Sequence, residues 1–214
     1  NYGEFASDYK ILAEANIRCM EDFNTDMLGL ISDPYRETSA FGAKIQFVKD
    51  GVPRCLERII QSADDVKNLN CPDVTQAERT LDRIKAAELL SKKTQGNVPI
   101  IGWVEGPLAE ACDLAAMDQM LMNLMMDPEF ANRLMDKCLQ TAKDFAKAQI
   151  QAGCHIIGIG DAVCSQIDEN TYEAFVKKRH KELISYIHEL GGKVKLHICG
   201  DTNHLISHYP EINL

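Results

Sequence analysis

The chain has 214 residues, of which 45% are hydrophobic and 26% are charged. This composition is typical of a soluble globular protein and excludes collagen, low-complexity disorder and a coiled coil. Its 23 basic and 32 acidic side chains give a formal net charge of −9, which argues against a nucleic-acid partner, because phosphate contacts require clustered Lys and Arg.

The sequence also predicts no membrane segment and a cytoplasmic location. Its longest apolar stretch, around residues 117–126, is interrupted by Asp118, Gln119 and Asn123 and is far shorter than the roughly 20 residues of a membrane-spanning helix. The methionines of this stretch are expected to pack in the core. Eight cysteines are scattered without a CxxC pair, which fits reduced thiols in the cytosol better than a disulfide framework.

Short apolar runs bounded by turn residues alternate along the chain with long amphipathic stretches. In chain order, the predicted elements are a helix at 5–23, strands at 27–31 and 44–48, a helix at 75–93, a strand at 98–104, helices at 108–124 and 128–152, a strand at 155–159, a helix at 172–190, a strand at 193–198 and the start of another at 211–214. Strands separated by long helices indicate βα units and a parallel sheet, either in a (β/α)₈ barrel or in a doubly wound fold.

Polar side chains stand at or just past the carboxyl ends of four predicted strands. They are Asp33, Glu105, Asp161 and the pair His197 and Cys199. Any single one of them is compatible with a helix cap, whereas four in the same topological position favour a site. In a barrel these strand ends converge on one mouth, where the catalytic residues of barrel enzymes lie.

His197 and Cys199 are the most specific pair in this set. Residues two apart on a strand point in the same direction, so the sequence predicts that an imidazole and a thiol lie side by side. Both are good zinc ligands, but two ligands do not complete a zinc site, and the spacing alone leaves zinc open. The chain has no dinucleotide-binding glycine motif, phosphate-binding loop or GxSxG elbow.

Several segments together resemble the uroporphyrinogen decarboxylase superfamily, and most of all its zinc-dependent branch of methylcobamide:coenzyme M methyltransferases. The segments are LISDP (30–34), AFGA (40–43), GWVEGPL (102–108), AQIQAG (148–153), GDA (160–162) and LHICGDT (196–202). They follow the order of the family and extend over nearly the whole chain. HICG is the most discriminating segment, because decarboxylases of this fold do not carry a metal-binding HxC there.

The resemblance implies an α/β fold: a single barrel domain over residues 1–214, present as an incomplete (β/α)₈ barrel that lacks N-terminal and C-terminal parts. His197 and Cys199 would be two zinc ligands, and the third ligand of that branch, a cysteine near the last strand, would follow Leu214. Asp33 matches the position of the aspartate that is essential in the decarboxylases. Glu105 and Asp161 match positions that line the mouth.

The implied activity is transfer of a methyl group from a methylated corrinoid protein to a thiol such as coenzyme M, with zinc as the metal. Two alternatives stay open at this point. One is a metal-free decarboxylase of a tetrapyrrole carboxylate, and the other is a truncated, non-catalytic domain that binds a corrinoid.

Overall fold

The computed structural model describes all 214 residues. Its six strands are β1 (Leu28–Gly29), β2 (Ile45–Val48), β3 (Gly51–Cys55), β4 (Ile100–Glu105), β5 (Ile156–Gly160) and β6 (Lys193–His197). Its ten α-helices are α1 (Tyr2–Ser7), α2 (Tyr9–Phe23), α3 (Arg36–Ala40), α4 (Ala63–Asn68), α5 (Glu78–Thr94), α6 (Pro107–Ala115), α7 (Met117–Met126), α8 (Pro128–Gln151), α9 (Glu169–Thr171) and α10 (Lys177–Glu189). Two 3₁₀ helices (Ala162–Gln166 and Asn203–Ile212) and a π-helical turn (Tyr172–Val176) complete the secondary structure.

Four strands form one parallel sheet in the order β1, β4, β5, β6. The register sets Glu105 level with Gly160, and Gly160 level with His197. The carboxyl ends of β4, β5 and β6 therefore meet at one edge of the sheet. The predicted parallel sheet with helical connections is confirmed.

Two hydrophobic cores hold the chain together. The first packs the helix-facing side of the sheet, including Val104 and Ile159, against α2, α5, α8 and α10. The second joins α6, α7 and the first half of α8 to the segments that follow β5 and β6. Because the second core consists of elements that follow carboxyl strand ends, it supports the edge of the sheet at which the candidate residues lie.

The opposite side of the sheet carries the candidate site. Alternation along the strands turns Trp103 and Glu105 of β4, Gly158 and Gly160 of β5, and His197 of β6 to this side. We call these five residues the inner face.

The helix predicted at 108–124 is two helices in the structure. The helical conformation is interrupted at Ala116. Its φ of 76° and ψ of 142° lie in a region that residues with a side chain seldom adopt. Four of the five methionines in and beside α7 are exposed, contrary to their predicted core role, and only Met120 is fully buried. Nothing in the local sequence marks the break, because both neighbours of the bend are good helix formers.

Two predicted strands lie outside the parallel sheet. The start of a strand predicted at 211–214 is wrong, because residues 211 and 212 are the last two of the 3₁₀ helix and residue 213 is in a turn. The short strand predicted at 44–48 is confirmed as β2, although it pairs antiparallel with β3 in a separate two-stranded sheet.

The helix predicted at 5–23 is divided at Asp8, whose extended backbone and side-chain bond to the Lys10 amide begin a second helix. No helix of the chain is long and apolar enough to cross a membrane.

Candidate functional site

His197 and Cys199 lie side by side and exposed where β6 ends. The imidazole Nε2 of His197 is 2.9 Å from Sγ of Cys199. Three residues after β6 ends, the backbone turns at Gly200. Its φ of +98° is a conformation that glycine adopts without strain. The predicted juxtaposition of an imidazole and a thiol is therefore present in the structure.

The donor set of this pair fits zinc. Nitrogen and sulfur bound to one tetrahedral zinc ion are about 3.5 Å apart, given the usual Zn–N and Zn–S bond lengths. The pair would therefore have to open slightly from its hydrogen-bonded separation of 2.9 Å. Within the 214 residues no third His, Cys, Asp or Glu joins these two within ligand reach, whereas catalytic zinc sites use three protein ligands.

Trp103 connects this pair to the carboxylate of Glu105. Its indole ring centroid is 5.9 Å from that of His197, and its Nε1 donates a hydrogen bond of 3.1 Å to Glu105 Oε1. The ring lies across β5, where side chains at Gly158 or Gly160 would collide with it at 2.4 and 2.9 Å. The two glycines of β5 thus provide the space that the indole occupies.

Glu105 belongs to a buried cluster of charged groups. Its Oε1 also accepts a hydrogen bond of 2.9 Å from Arg36, and its backbone amide donates one of 2.9 Å to Glu37. Burial raises the pKa of Glu105 well above the usual range, opposed by the charge of Arg36 and reinforced by that of Glu37. Arg36 Nε and Nη1 and Glu37 Oε2 have no hydrogen-bond partner although they are buried.

Asp33 is held in a buried ion pair with Arg79 of α5. The two guanidinium Nη atoms donate to the two carboxylate oxygens at 2.9 and 2.7 Å, a bidentate geometry that is among the strongest hydrogen-bonded pairings. Ser32 adds a hydroxyl bond of 2.7 Å. Burial opposes ionisation, but the hydrogen bonds and charge of Arg79 outweigh it and lower the pKa of Asp33 to about 2.

Asp161 is completely buried between β5, α6 and α10. Its carboxylate accepts hydrogen bonds from the amides of Leu108 and Ala109 at the start of α6, at 3.4 and 2.8 Å. His180 Nε2 lies 2.9 Å from the same carboxylate, and His180 Nδ1 lies 3.1 Å from the hydroxyl of Tyr172. Asp161 thus caps α6, the helix that follows β4, and not the segment after its own strand.

A second set of metal-binding residue types surrounds Asp161. Asp161, Cys164 and His180 are fully buried, and their donor atoms lie within 4.8 Å of one another. Both ring nitrogens of His180 and both oxygens of Asp161 are already engaged by protein groups. Burial raises the pKa of the Cys164 thiol well above its usual range, which keeps it protonated. This set fits an internal hydrogen-bond network better than a metal site.

The structure brings two of the predicted positions together on the inner face, Glu105 and His197, with Trp103 between them. Asp33 and Asp161 are buried against helices instead. Sequence reasoning missed the partners Arg36, Arg79, Trp103 and His180. Only Trp103 had a local signal, because it lies two residues before Glu105 and therefore points to the same side of β4.

A parallel sheet with polar groups at its carboxyl edge is typical of α/β folds, both barrels and doubly wound sheets. The uroporphyrinogen decarboxylase (URO-D) family model matches residues 1–214, and the chain belongs to this family. A solved methyltransferase from Methanosarcina mazei has the same fold, with a TM-score of 0.90 at 22% identity over 97% of this chain and 61% of that one. The four parallel strands are therefore one arc of the family's (β/α)₈ barrel.

The curated relatives include two kinds of enzyme. A uroporphyrinogen decarboxylase from Neisseria meningitidis serogroup C is 23% identical over 85% of this chain and 52% of its own length. A methylcobamide:CoM methyltransferase from Methanosarcina barkeri is 27% identical over 63% of this chain and 40% of its own length. A methylated-thiol–coenzyme M methyltransferase from M. mazei is 28% identical over 82% of this chain and 47% of its own length. The chain thus spans about half of the length of the curated relatives it matches.

Proposed function

We propose that residues 1–214 are part of the single barrel domain of a zinc-dependent methyltransferase, which transfers a methyl group from a methylated corrinoid protein to a thiol such as coenzyme M. The observation that carries this proposal is the exposed His197–Cys199 pair at the carboxyl end of β6. The methyltransferases among the relatives support it. The corrinoid protein, the thiol and zinc are all parts of the proposal.

In this proposal His197 and Cys199 would hold the zinc ion, together with a ligand outside residues 1–214. Bound zinc supplies acidity, since a coordinated thiol loses its proton at neutral pH. Methyl transfer from the corrinoid to the acceptor thiolate would form the carbon–sulfur bond and break the carbon–cobalt bond, whose electron pair would remain with the corrinoid. Because this electron pair comes from the broken carbon–cobalt bond, the step would need no external oxidant or reductant.

The three carboxylates have different proposed roles. Glu105 lines the inner face, and we propose that it receives the proton that the acceptor thiol releases, because burial raises its pKa and so makes the carboxylate a stronger base. Asp33 and Asp161 have their oxygens bonded to Arg79, to His180 and to backbone amides. We propose that they act by positioning the strand ends and do not touch substrate.

Methyl transfer from methylcobalamin to coenzyme M tests the proposal directly. Cys199→Ser is expected to lower the rate by about 100-fold or more, because the metal loses a thiolate ligand. Cys19→Ser is the matched control, since Cys19 is exposed and lies on α2, and it should retain the rate of the unmodified protein. Equal rates for the two variants would refute the role of Cys199.

The decarboxylase relatives suggest an alternative function, which a decarboxylation assay run beside the methyl-transfer assay would detect. Decarboxylation of uroporphyrinogen that survives a metal chelator, together with no methyl transfer, would favour a metal-free decarboxylase. Corrinoid binding with neither activity would favour a non-catalytic domain. We also propose a cytoplasmic location, supported by eight cysteines that are all free.

A further inference from the structure

We propose that Trp103 is a specificity-determining residue whose indole forms one wall of the acceptor-thiol site and limits the acceptor to small, slender thiols. This inference rests on the proposed function and deepens it, because it names the shape of the acceptor. Trp103 belongs to neither the metal pair nor the predicted carboxylates, and it emerges from the contacts of β4 with β5.

The position of the indole is fixed by Gly158 and Gly160, which leave the inner face of β5 without side chains. A Cβ atom at Gly158 would meet the six-membered ring at 2.4 Å, and one at Gly160 would meet Cζ2 and Nε1 at 2.9 Å. The indole therefore lies over both glycines, with its Cε3–Cζ3 edge at Gly158 and its Cζ2–Nε1 edge at Gly160. Any side chain at either position would force the indole off the strand.

A hydrogen bond fixes the orientation of the ring within this groove. Nε1 donates to Glu105 Oε1 at 3.1 Å, and the same oxygen accepts from the buried Arg36. Trp103 is half-buried, so part of the ring stays open on the inner face. A half-buried indole with its N–H satisfied offers a rigid apolar surface to a ligand.

The open part of the ring lies beside the metal pair. The indole centroid is 5.9 Å from the centroid of the His197 imidazole, and His197 Nε2 contacts Cys199 Sγ. A thiol held at this pair has its first carbon atoms within reach of the indole. Contacts between sulfur or alkyl groups and an aromatic ring are favourable, so the wall both binds a small acceptor and excludes a bulky one.

The first test reads the indole itself. Trp103 is the single tryptophan of the chain, so tryptophan emission reports this side chain alone. We expect 2-mercaptoethanol to cause a saturable change of emission in the zinc-loaded protein and in its Cys19→Ser control, but not in Cys199→Ser. The linear quenching that thiols cause by collision is measured with free N-acetyltryptophanamide and subtracted.

The second test separates binding from chemistry with Trp103→Phe and Trp103→Ala. Removing the wall should raise KM for 2-mercaptoethanol by about tenfold with little change in kcat, and should raise the preference for benzyl mercaptan over 2-mercaptoethanol by about tenfold or more. Trp103→Phe keeps an aromatic side chain at this position. Its KM and its thiol preference should lie between those of the unmodified protein and those of Trp103→Ala. Trp103→Phe also guards against a folding defect in Trp103→Ala, which thermal unfolding of both variants would reveal.

The outcomes distinguish this inference from the function on which it rests. Zinc binding and methyl transfer with unchanged emission, and with unchanged KM and selectivity in both variants, would overturn the wall and leave the proposed function intact. Failure to bind zinc at His197 and Cys199 would overturn the proposed function, and the inference about Trp103 would be overturned together with it.

Discussion

Two neighbouring strand ends of this sheet carry almost the same residue types in opposite environments. After β5, Asp161, His180 and Cys164 are fully buried, and the carboxylate and imidazole have all their donor and acceptor atoms engaged. After β6, His197 and Cys199 are exposed and contact each other. Ligand-type residues thus indicate a metal site only where their lone pairs are free for an ion.

The difference also shows how one set supports the other. The backbone amide of Asp161 donates to the carbonyl of His197 at 3.0 Å, while the Asp161 side chain is fixed by α6 and His180. The buried network therefore holds the last residue of β6 in register. We expect the two sets to respond differently to labelling, mutation and pH.

The largest expected difference is in thiol accessibility. Cys199 is exposed, whereas Cys164 is fully buried with a raised pKa caused by burial. Iodoacetamide should modify Cys199 on the order of 10³-fold or more faster than Cys164, because Cys164 reacts only when the structure opens. Peptide mass spectrometry over a time course measures both rates. Comparable rates would mean that the β5 network opens freely in solution.

Removing the centre of the buried network should cost the most stability. Asp161→Ala deletes the cap of α6 and leaves His180 without its acceptor, and we expect a loss of about 3–5 kcal/mol in the free energy of unfolding. Urea denaturation measures it. Asp201→Ala is the matched control, because Asp201 is an exposed aspartate after β6 that bonds a single backbone amide. A loss of less than about 1 kcal/mol for Asp161→Ala would remove the structural role assigned to this set.

The ion pair of Asp33 with Arg79 should produce an acid-sensitive contribution to stability. The pKa of Asp33 falls from 3.8 to about 2 because the hydrogen bonds and charge of Arg79 outweigh the effect of burial. The ionised form therefore stabilises the folded state by about 2 kcal/mol above about pH 4, and this contribution disappears as the pH falls to about 2.

Unfolding free energies measured across this pH range test the ion pair. Asp33→Asn should flatten the curve between about pH 4 and pH 2, because no carboxylate is left to titrate at this position. An identical slope in the unmodified protein and in Asp33→Asn would show that other groups carry the acid sensitivity.

The smallest expected effect is the stability change of the exposed pair. Cys199→Ser should alter the free energy of unfolding of the metal-free protein by less than about 0.5 kcal/mol, since both groups are exposed and their contact competes with water. A larger loss would indicate that the His197–Cys199 contact is structural, and it would weaken the contrast with the buried set.

The sequence predicts the sheet well and the partners of its polar groups poorly. The strands at 98–104, 155–159 and 193–198 are correct to within one or two residues, since apolar runs bounded by Gly and Pro have few other ways to fold. Strand periodicity predicts the side-by-side arrangement of His197 and Cys199, and the structure has it although β6 ends at His197. The zinc ion and its remaining ligand stay predictions.

The missed features depend on contacts between distant segments. Arg79 is 46 residues from Asp33, and His180 is 19 residues from Asp161, so no local pattern announces either pair. The break at Ala116 has no glycine to mark its positive φ. The four exposed methionines show that a run of apolar residues indicates a helix without indicating which of its sides is buried.

Metal binding by the unmodified protein, Cys199→Ser and Cys164→Ser is the most direct test of the central claim that the exposed pair, and not the buried set, binds zinc. In the full-length protein, which includes any ligand outside residues 1–214, we predict about one equivalent of zinc for the unmodified sequence and for Cys164→Ser, and a strong loss for Cys199→Ser. Replacement of zinc by Co²⁺ should give a thiolate-to-cobalt absorption band that only Cys199→Ser removes. Less than about a tenth of an equivalent of zinc that Cys199→Ser leaves unchanged, or a band that Cys164→Ser removes, would contradict this claim.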